Sequence, residues 1–442
     1  MMGTGQTEKP QFEKPQFEKL RADEPRAEKP QDVSRRRVFY IPGYDPIHPR
    51  RYRELYRKEG AAQAQVSGYR IDLSPKRTGG LYGWHVTSEM DGKTVTADVE
   101  VLVWSDIVRN SMSTSIPATY AQLVRTAWEY IATGALRRLM LLRKGPVIAA
   151  LYPIGMLLLQ LIIAILLGWA GFAVIGGLSA GLAGWLGMDL GSAATVAGLV
   201  VWAVTTWTLL RWFKKKDGKV FAYYLMHDYA YSARYHGANP PELEARMADF
   251  GEIIAKALTD DVDEVLVVGH SSGAHLAVSI LADLIRAGRV PANGPKLAFL
   301  SLGQVVPMVS FLRGAHRLRA DLRYLSARDE MTWVDVTAPG DGCAFALCDP
   351  VSVSGVAPEN KRWPLVFSAQ FTRSLSPERW KELRWKFFRL HFQYLCAFDR
   401  PRDYDYFRIT AGPLSLAARY ADRPPSNSRI DVPVSKYTSI AA

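Results

Sequence analysis

The chain has 442 residues, with 55 Lys and Arg against 43 Asp and Glu and a formal net charge of +12. At 48% hydrophobic and 22% charged residues it cannot be mostly disordered, and a mean hydropathy of −0.06 excludes a polytopic transporter. Cys343, Cys348 and Cys396 are too few and too irregularly spaced for a disulfide framework or a zinc site, which places the folded part in a reducing compartment with no metal expected.

Residues 1–34 carry the near-repeat EKPQF-EKPQF-EKL, broken by Pro10, Pro15, Pro25 and Pro30, and read as a disordered tail with almost nothing apolar to bury. This tail has no apolar segment of signal-peptide type. Arg37 to Ile41 (RVFYI) reads as a strand running into Pro42-Gly43-Tyr44-Asp45-Pro46. His85 to Met90 and Lys93 to Trp104 alternate on either side of Asp91-Gly92, the pattern of a β-hairpin, and the second strand, from Asp98, is expected to enter the main sheet.

Residues 145–210 contain no Lys or Arg, and Asp189 is their one acid. As a helix, Val147 to Leu167 would rise about 31 Å, the hydrocarbon thickness of a bilayer, and Gly191 to Leu210 supplies a second span. The glycine-rich stretch between them, with Gly177-x-x-x-Gly181, suits close helix contact or a re-entrant turn. Trp169, Trp202, Trp207 and Trp212 read as interface anchors or packing residues. Arg137, Arg138, Arg143 and Lys144 precede the block; Arg211, Lys214, Lys215, Lys216 and Lys219 follow it, with Asp217 the one acid among them. Both flanks therefore read as cytoplasmic. The expected partner is a lipid bilayer, with the folded domain on the cytoplasmic side of a bacterial inner membrane. The basic excess is accounted for without nucleic acid, for which no motif accompanies it.

Asp263 to Val268 (DEVLVV) is a short β-branched run that reads as a buried parallel strand. It is followed at once by Gly269-His270-Ser271-Ser272-Gly273 and then by AHLAVSILADLIRAG, whose apolar positions recur at helical spacing. A serine on a strained strand-to-helix turn exposes its Oγ, while small glycines let strand and helix pack beside it and the helix N-terminus offers oriented N–H groups. Lys296 to Leu302 (KLAFLSL), Met331 to Thr337 (MTWVDVT) and Leu365 to Phe371 (LVFSAQF) read as three further strands.

This G-x-S-x-G between a strand and a helix resembles the nucleophile elbow of the α/β-hydrolase superfamily. The resemblance extends over residues 37 to about 410, the apolar insertion apart. It implies an α/β fold, a mostly parallel sheet flanked by helices, here interrupted by a transmembrane hairpin. The parts would be the tail 1–34, a first section of the domain at 35–144, the hairpin at 145–213, a second section at 214–410 and a C-terminal tail at 411–442. Ser271 would be the nucleophile, Gly269 and Gly273 the elbow glycines, and the amides of Tyr44 and Ser272 the oxyanion hole. The Pro42–Pro46 turn also reads as plain punctuation at a strand end, and it departs from the His-Gly form of many lipases. The order Ser…Asp…His suggests Asp341, just past the C-terminal end of the Met331–Thr337 strand, and His391. Asp335 inside that strand and Asp349 beyond it compete for the acid's place; Glu330 lies at the wrong end. A lone histidine among aromatics can also be a packed structural residue. His48 could line the oxyanion side, whereas His270 and His275 flank the elbow and are poorly placed as base.

The function so implied is a membrane-anchored serine hydrolase cleaving an acyl ester or thioester, possibly of a lipid, with no cofactor. An acyltransferase with the same triad, or a non-catalytic scaffold, would share these features.

Overall fold

The computed structural model describes residues 32–76, 79–112, 115–187 and 189–441. Residues 1–31, which hold most of the expected disordered tail, lie outside the described residues. The chain is α/β, built on an eight-stranded sheet. Its strands are β1 (Arg35–Ile41), β2 (Arg70–Pro75), β3 (Gly83–Met90), β4 (Lys93–Val101), β5 (Glu264–His270), β6 (Lys296–Leu302), β7 (Met331–Thr337) and β8 (Leu365–Ser368). They lie in the order β2-β3-β4-β1-β5-β6-β7-β8. β2, β3 and β4 pair antiparallel, while β4, β1 and β5 through β8 run parallel.

The central strands form where the sequence is apolar on both faces, as a parallel sheet covered by helices on each side requires. Every residue of β5 (EVLVVGH) is buried. Alternate residues feed two separate cores: Val38, Tyr40, Leu266 and Val268 face one side, Phe39, Ile41, Val265 and Val267 the other. The helix Gly273–Arg286 follows β5 and buries nearly its whole surface against the second core.

The chain leaves β1 leftward, to β2, and leaves β5 rightward, to β6, so the reversal of strand order falls between β1 and β5. Ligands of open α/β sheets gather beyond the strand ends at that point. Ile41, the last residue of β1, lies opposite Gly269.

Several boundaries differ from the sequence reading. β8 stops at Ser368 because Gln370 adopts φ +51° and a helical turn begins at Phe371. β4 stops at Val101 because Trp104 leads into the helix Ser105–Ser111. β2 escaped the reading: RIDLSP is polar, and it sits at the sheet edge where one partner suffices. The two expected tails are partly built into the domain. Asp32 bridges to Leu414, and the Val33 N–H donates to Pro413 O at 2.8 Å. The C-terminal segment packs across the fold, with Ser426 N–H on Val366 O of β8 and Ser439 O accepting from the buried Arg319. It thereby blocks an edge that would otherwise template strand pairing.

The apolar block forms two helices long and apolar enough to cross a membrane, Lys144–Leu186 and Gly191–Lys215. At 1.5 Å per residue they rise about 65 and about 37 Å. The expected glycine-rich connection is instead continuous helix to Leu186, and the chain reverses at Gly187, where φ is +65°. Nor does Gly177-x-x-x-Gly181 make a contact: nothing lies within 4 Å of a Cβ built at either glycine. The helices meet closely at Gly168, whose Cβ would fall 2.8 Å from Trp202 O, and at Gly198, whose Cβ would fall 2.7 Å from Phe172. The first turns of the long helix belong to the α/β body, where Val147 and Ala150 join Tyr130, Met308 and Phe345 in one apolar cluster. Beyond them the hairpin leaves large apolar side chains bare, Trp185 being 82% exposed.

Candidate active site

The elbow is held in a conformation that only a fixed surrounding tolerates. Ser271 has φ +56°, a left-handed backbone costing a non-glycine residue on the order of 1–3 kcal/mol. Its N–H donates to Leu302 O at 2.9 Å and its carbonyl accepts from Ala274 N–H at 3.1 Å. A Cβ on Gly273 would fall 2.1 Å from Ile41 O, and one on Gly269 2.7 Å from Ala274 Cα, so both positions demand glycine. Gly43 is a third, unforeseen requirement: its Cβ would lie 2.9 Å from Ser271 Cβ. The turn after β1 therefore packs directly on the nucleophile candidate.

Asp341 sits just past β7. Its Oδ2 accepts from His391 Nδ1–H at 2.7 Å and from the Tyr394 hydroxyl at 3.0 Å, and its Oδ1 accepts from Cys343 N–H at 2.9 Å. Burial alone would raise this carboxyl; the opposing imidazole of His391 and the three donors hold it below its ordinary value. A carboxylate can only accept, so Nδ1 of His391 carries the proton and Nε2 is left as a base. Gly303 makes room for the ring: with φ +53°, its Cβ would come 3.1 Å from His391 Cε1. Ser271 and His391 line the same cavity, and among the described residues no hydrogen bond joins them.

The two competing acids are engaged elsewhere. Asp335 is buried in β7, accepts from Ser301 Oγ at 2.8 Å, leaves Oδ1 without a partner, and is pushed by burial up to about 8. Asp349 caps the turn Pro350–Val353 and pairs with Lys361 at 2.6 Å.

The amides of Ser272 and Tyr44 have no hydrogen-bond acceptor among the described residues. Tyr44 is fixed from both ends, its hydroxyl 2.6 Å from Ser111 Oγ and its carbonyl accepting from Tyr224 at 2.5 Å. Asp45 braces the same loop by accepting from Ile47 N–H, Arg51 and the Tyr52 hydroxyl. His48 does not line this side: it is exposed and packs edge-on against Tyr82.

His270 has a positioning role that the sequence did not reveal. Its Nε2 lies 3.0 Å from His391 O, which can only accept, so Nε2 donates and Nδ1 is free for the Tyr40 hydroxyl at 3.4 Å. Burial, with the neighbouring His391, lowers it to about 3, so it supports the His391 backbone as a neutral ring.

A cavity of about 870 Å³ opens onto Ser271 and His391. Leu55, Leu225, Met308 and Val309 give it apolar walls, and Arg51, Lys58, Arg379 and Arg389 lie toward its other parts. Asp228, on the helix Ala222–Arg234, also lines it, and its carboxyl makes no hydrogen bond or ion pair among the described residues. Burial holds Asp228 up to about 7, with His391 opposing. No sequence pattern marked it, because its helix is rich in tyrosine on several faces. Asp341, Cys343 and His391 also bring potential metal-ligand atoms within 4.8 Å of one another. The Asp341 oxygens are already occupied by three donors, however, and burial pushes the Cys343 thiol well up, away from the thiolate a metal needs. Compared with protein-family models, curated proteins and solved structures, the chain has no match.

Proposed function

We propose that this chain is a membrane-anchored serine hydrolase of the α/β-hydrolase type. The observation that carries the reading is a serine in left-handed backbone on a strand-to-helix turn, sharing a cavity with a histidine whose Nδ1 is bound by a buried aspartate. His391 Nε2 takes the Ser271 proton as Oγ attacks the acyl carbonyl of an ester or thioester. The tetrahedral oxyanion lies against the free amides of Ser272 and Tyr44, each such donor being worth about 3 kcal/mol. His391 then protonates the leaving alcohol or thiol, and water, deprotonated by the same imidazole, releases the acid and restores the serine.

The hairpin anchors this domain to a bilayer. β1 and β5 pair directly yet flank the hairpin in sequence, so both of its ends return to one side, and the basic flanks favour the cytoplasmic side of a bacterial inner membrane. The test is covalent labelling of the membrane-embedded protein by a fluorophosphonate, lost on Ser271→Ala. Unchanged labelling of that variant rejects the reading. Product analysis with added alcohols separates hydrolysis from acyl transfer.

A further inference from the structure

One residue short of His391, before the buried Leu390, the chain reads Arg384-Trp385-Lys386-Phe387-Phe388-Arg389, and all six residues are exposed. Three bulky aromatics side by side on the surface of an α/β domain have no explanation in its core. Trp385 is 72% exposed and Phe387 47%. They alternate with three cations, and Glu382 is the acid that pairs with two of these, Lys386 at 2.9 Å and Arg389 at 3.7 Å. Aromatics that bury an apolar ring while basic neighbours meet phosphates are the composition of a segment lying in a bilayer interface.

Its position fits the same partner. The Phe388 ring is 5.5 Å from that of Phe221, which follows the root of the second apolar helix. A Cβ on Gly342, beside the acid Asp341, would lie 3.1 Å from Phe387, and one on Gly145, at the start of the long helix, would lie 3.2 Å from Gly342 O. Hairpin root, acid loop and aromatic segment thus converge. The cavity that holds Ser271 and His391 is bounded there by Pro146, Gly218, Phe221, Phe388 and Arg389.

We propose that Arg384–Arg389 is a second, non-spanning membrane contact that seats its aromatic side chains in the interface of an anionic bilayer and turns the mouth of the catalytic cavity onto it. The substrate is then an acyl lipid resident in that bilayer, whose chain enters the cavity sideways, alongside the packed Phe221–Phe388 pair, without crossing water. The substrate claim rests on the hydrolase reading above; the membrane contact does not.

The full chain, carrying a dansyl amino acid at position 385, is reconstituted in phosphatidylcholine vesicles containing phosphatidylglycerol. Blue-shifted emission, quenched by lipids spin-labelled near the top of the acyl chain and insensitive to iodide, is expected. Quenching by iodide with no effect of the lipid label overturns the contact, including the case in which the segment instead binds a protein. Trp385→Ser and Lys386→Glu supply the second arm. Because an aromatic side chain of this size carries 150–250 Å² of surface, their turnover of a vesicle-embedded acyl ester should fall about tenfold or more. Labelling of Ser271 by a soluble fluorophosphonate should stay within about twofold. An equal fall in both overturns the portal, because it places the defect in the catalytic loop. No labelling of the unmodified protein overturns the hydrolase reading and the substrate claim with it, while the depth measurement alone decides the membrane contact.

Discussion

Asp341→Asn isolates what the buried carboxylate contributes. Its two oxygens receive three donors, His391 Nδ1–H and the Tyr394 hydroxyl on Oδ2 and Cys343 N–H on Oδ1. Asparagine must put an NH₂ in one of those places. At Oδ1 it would face the Cys343 amide, donor against donor at the 2.9 Å of the native bond, leaving a buried donor unpaired at a cost of about 1–3 kcal/mol. Backbone amides cannot turn away; an imidazole can exchange its proton. The NH₂ therefore settles at Oδ2, where the Tyr394 hydroxyl, which already accepts from Ala338 N–H at 3.0 Å, must turn its own hydrogen away, and His391 becomes the tautomer with Nδ1 bare and Nε2 protonated. That ring cannot take a proton from Ser271. A wrong-tautomer imidazole costs about 10⁴ in turnover in serine proteases, and a loss of that order is expected here, read as the second-order rate of fluorophosphonate labelling in protein whose melting temperature has been measured. Asp335→Asn is the control. Burial already pushes Asp335 up to about 8, so at neutral pH it is a neutral acid that asparagine imitates. A variant at Asp335 that labels as slowly as the one at Asp341, or an Asp341→Asn protein that labels within about tenfold of the original, refutes the assignment.

Ser271→Ala should abolish labelling without changing membrane insertion, whereas Ser272→Ala should be mild because only its backbone N–H is used; gel fluorescence of labelled membranes checks both. For Asp228 the folded value is raised to about 7 from an ordinary 3.8. The folded state therefore holds the proton more tightly than the unfolded one, and stability declines as pH rises through that window, levelling off above about 7. Asp228→Asn should accordingly match the parent's melting temperature near about pH 3, exceed it increasingly up to about pH 7 and keep that margin at about pH 8, and melting curves across that range decide it. In intact cells, cysteine placed at the exposed Glu359 should resist a membrane-impermeant thiol reagent while one at Ser192, in the first turn of the second apolar helix, should react. Reaction at both, or at neither, contradicts a two-crossing hairpin.

The legible parts of the fold were those with a strong local cause. β6 and β7 match their expected bounds because short runs buried on both faces, apolar in KLAFLSL and β-branched in MTWVDVT, leave little latitude. Gly269 and Gly273 were readable because a glycine at fixed spacing from a serine between strand and helix has one steric meaning. Asp341 and His391 were singled out by order along the chain, and that His391 pairs with Asp341 and not with Asp335 or Asp349 became visible only with their hydrogen bonds in view. Gly43 and His270 are set by contacts with residues far along the chain, Ser271 and His391, and Asp228 is marked only by its burial at the cavity. The glycine-rich middle of the long helix misled because each glycine lowers helix propensity by only about 1 kcal/mol, which an otherwise favourable run absorbs even at Gly176-Gly177.

The pairing of β1 with β5 also orders events during synthesis. Arg36, buried in β1, meets Glu264 at 2.6 Å, and also donates to Gly412 O and Leu414 O. Every one of these partners emerges from the ribosome after the apolar hairpin. Until then β1 has β4 on one side and an open apolar edge on the other, together with a guanidinium that has no counterion. Before those partners arrive the guanidinium keeps its water; once the sheet has closed over it, removal of Glu264 would cost about 3–5 kcal/mol. With the hairpin read as membrane-spanning, the crevice that holds Ser271 is completed only after the chain has entered the bilayer and come back.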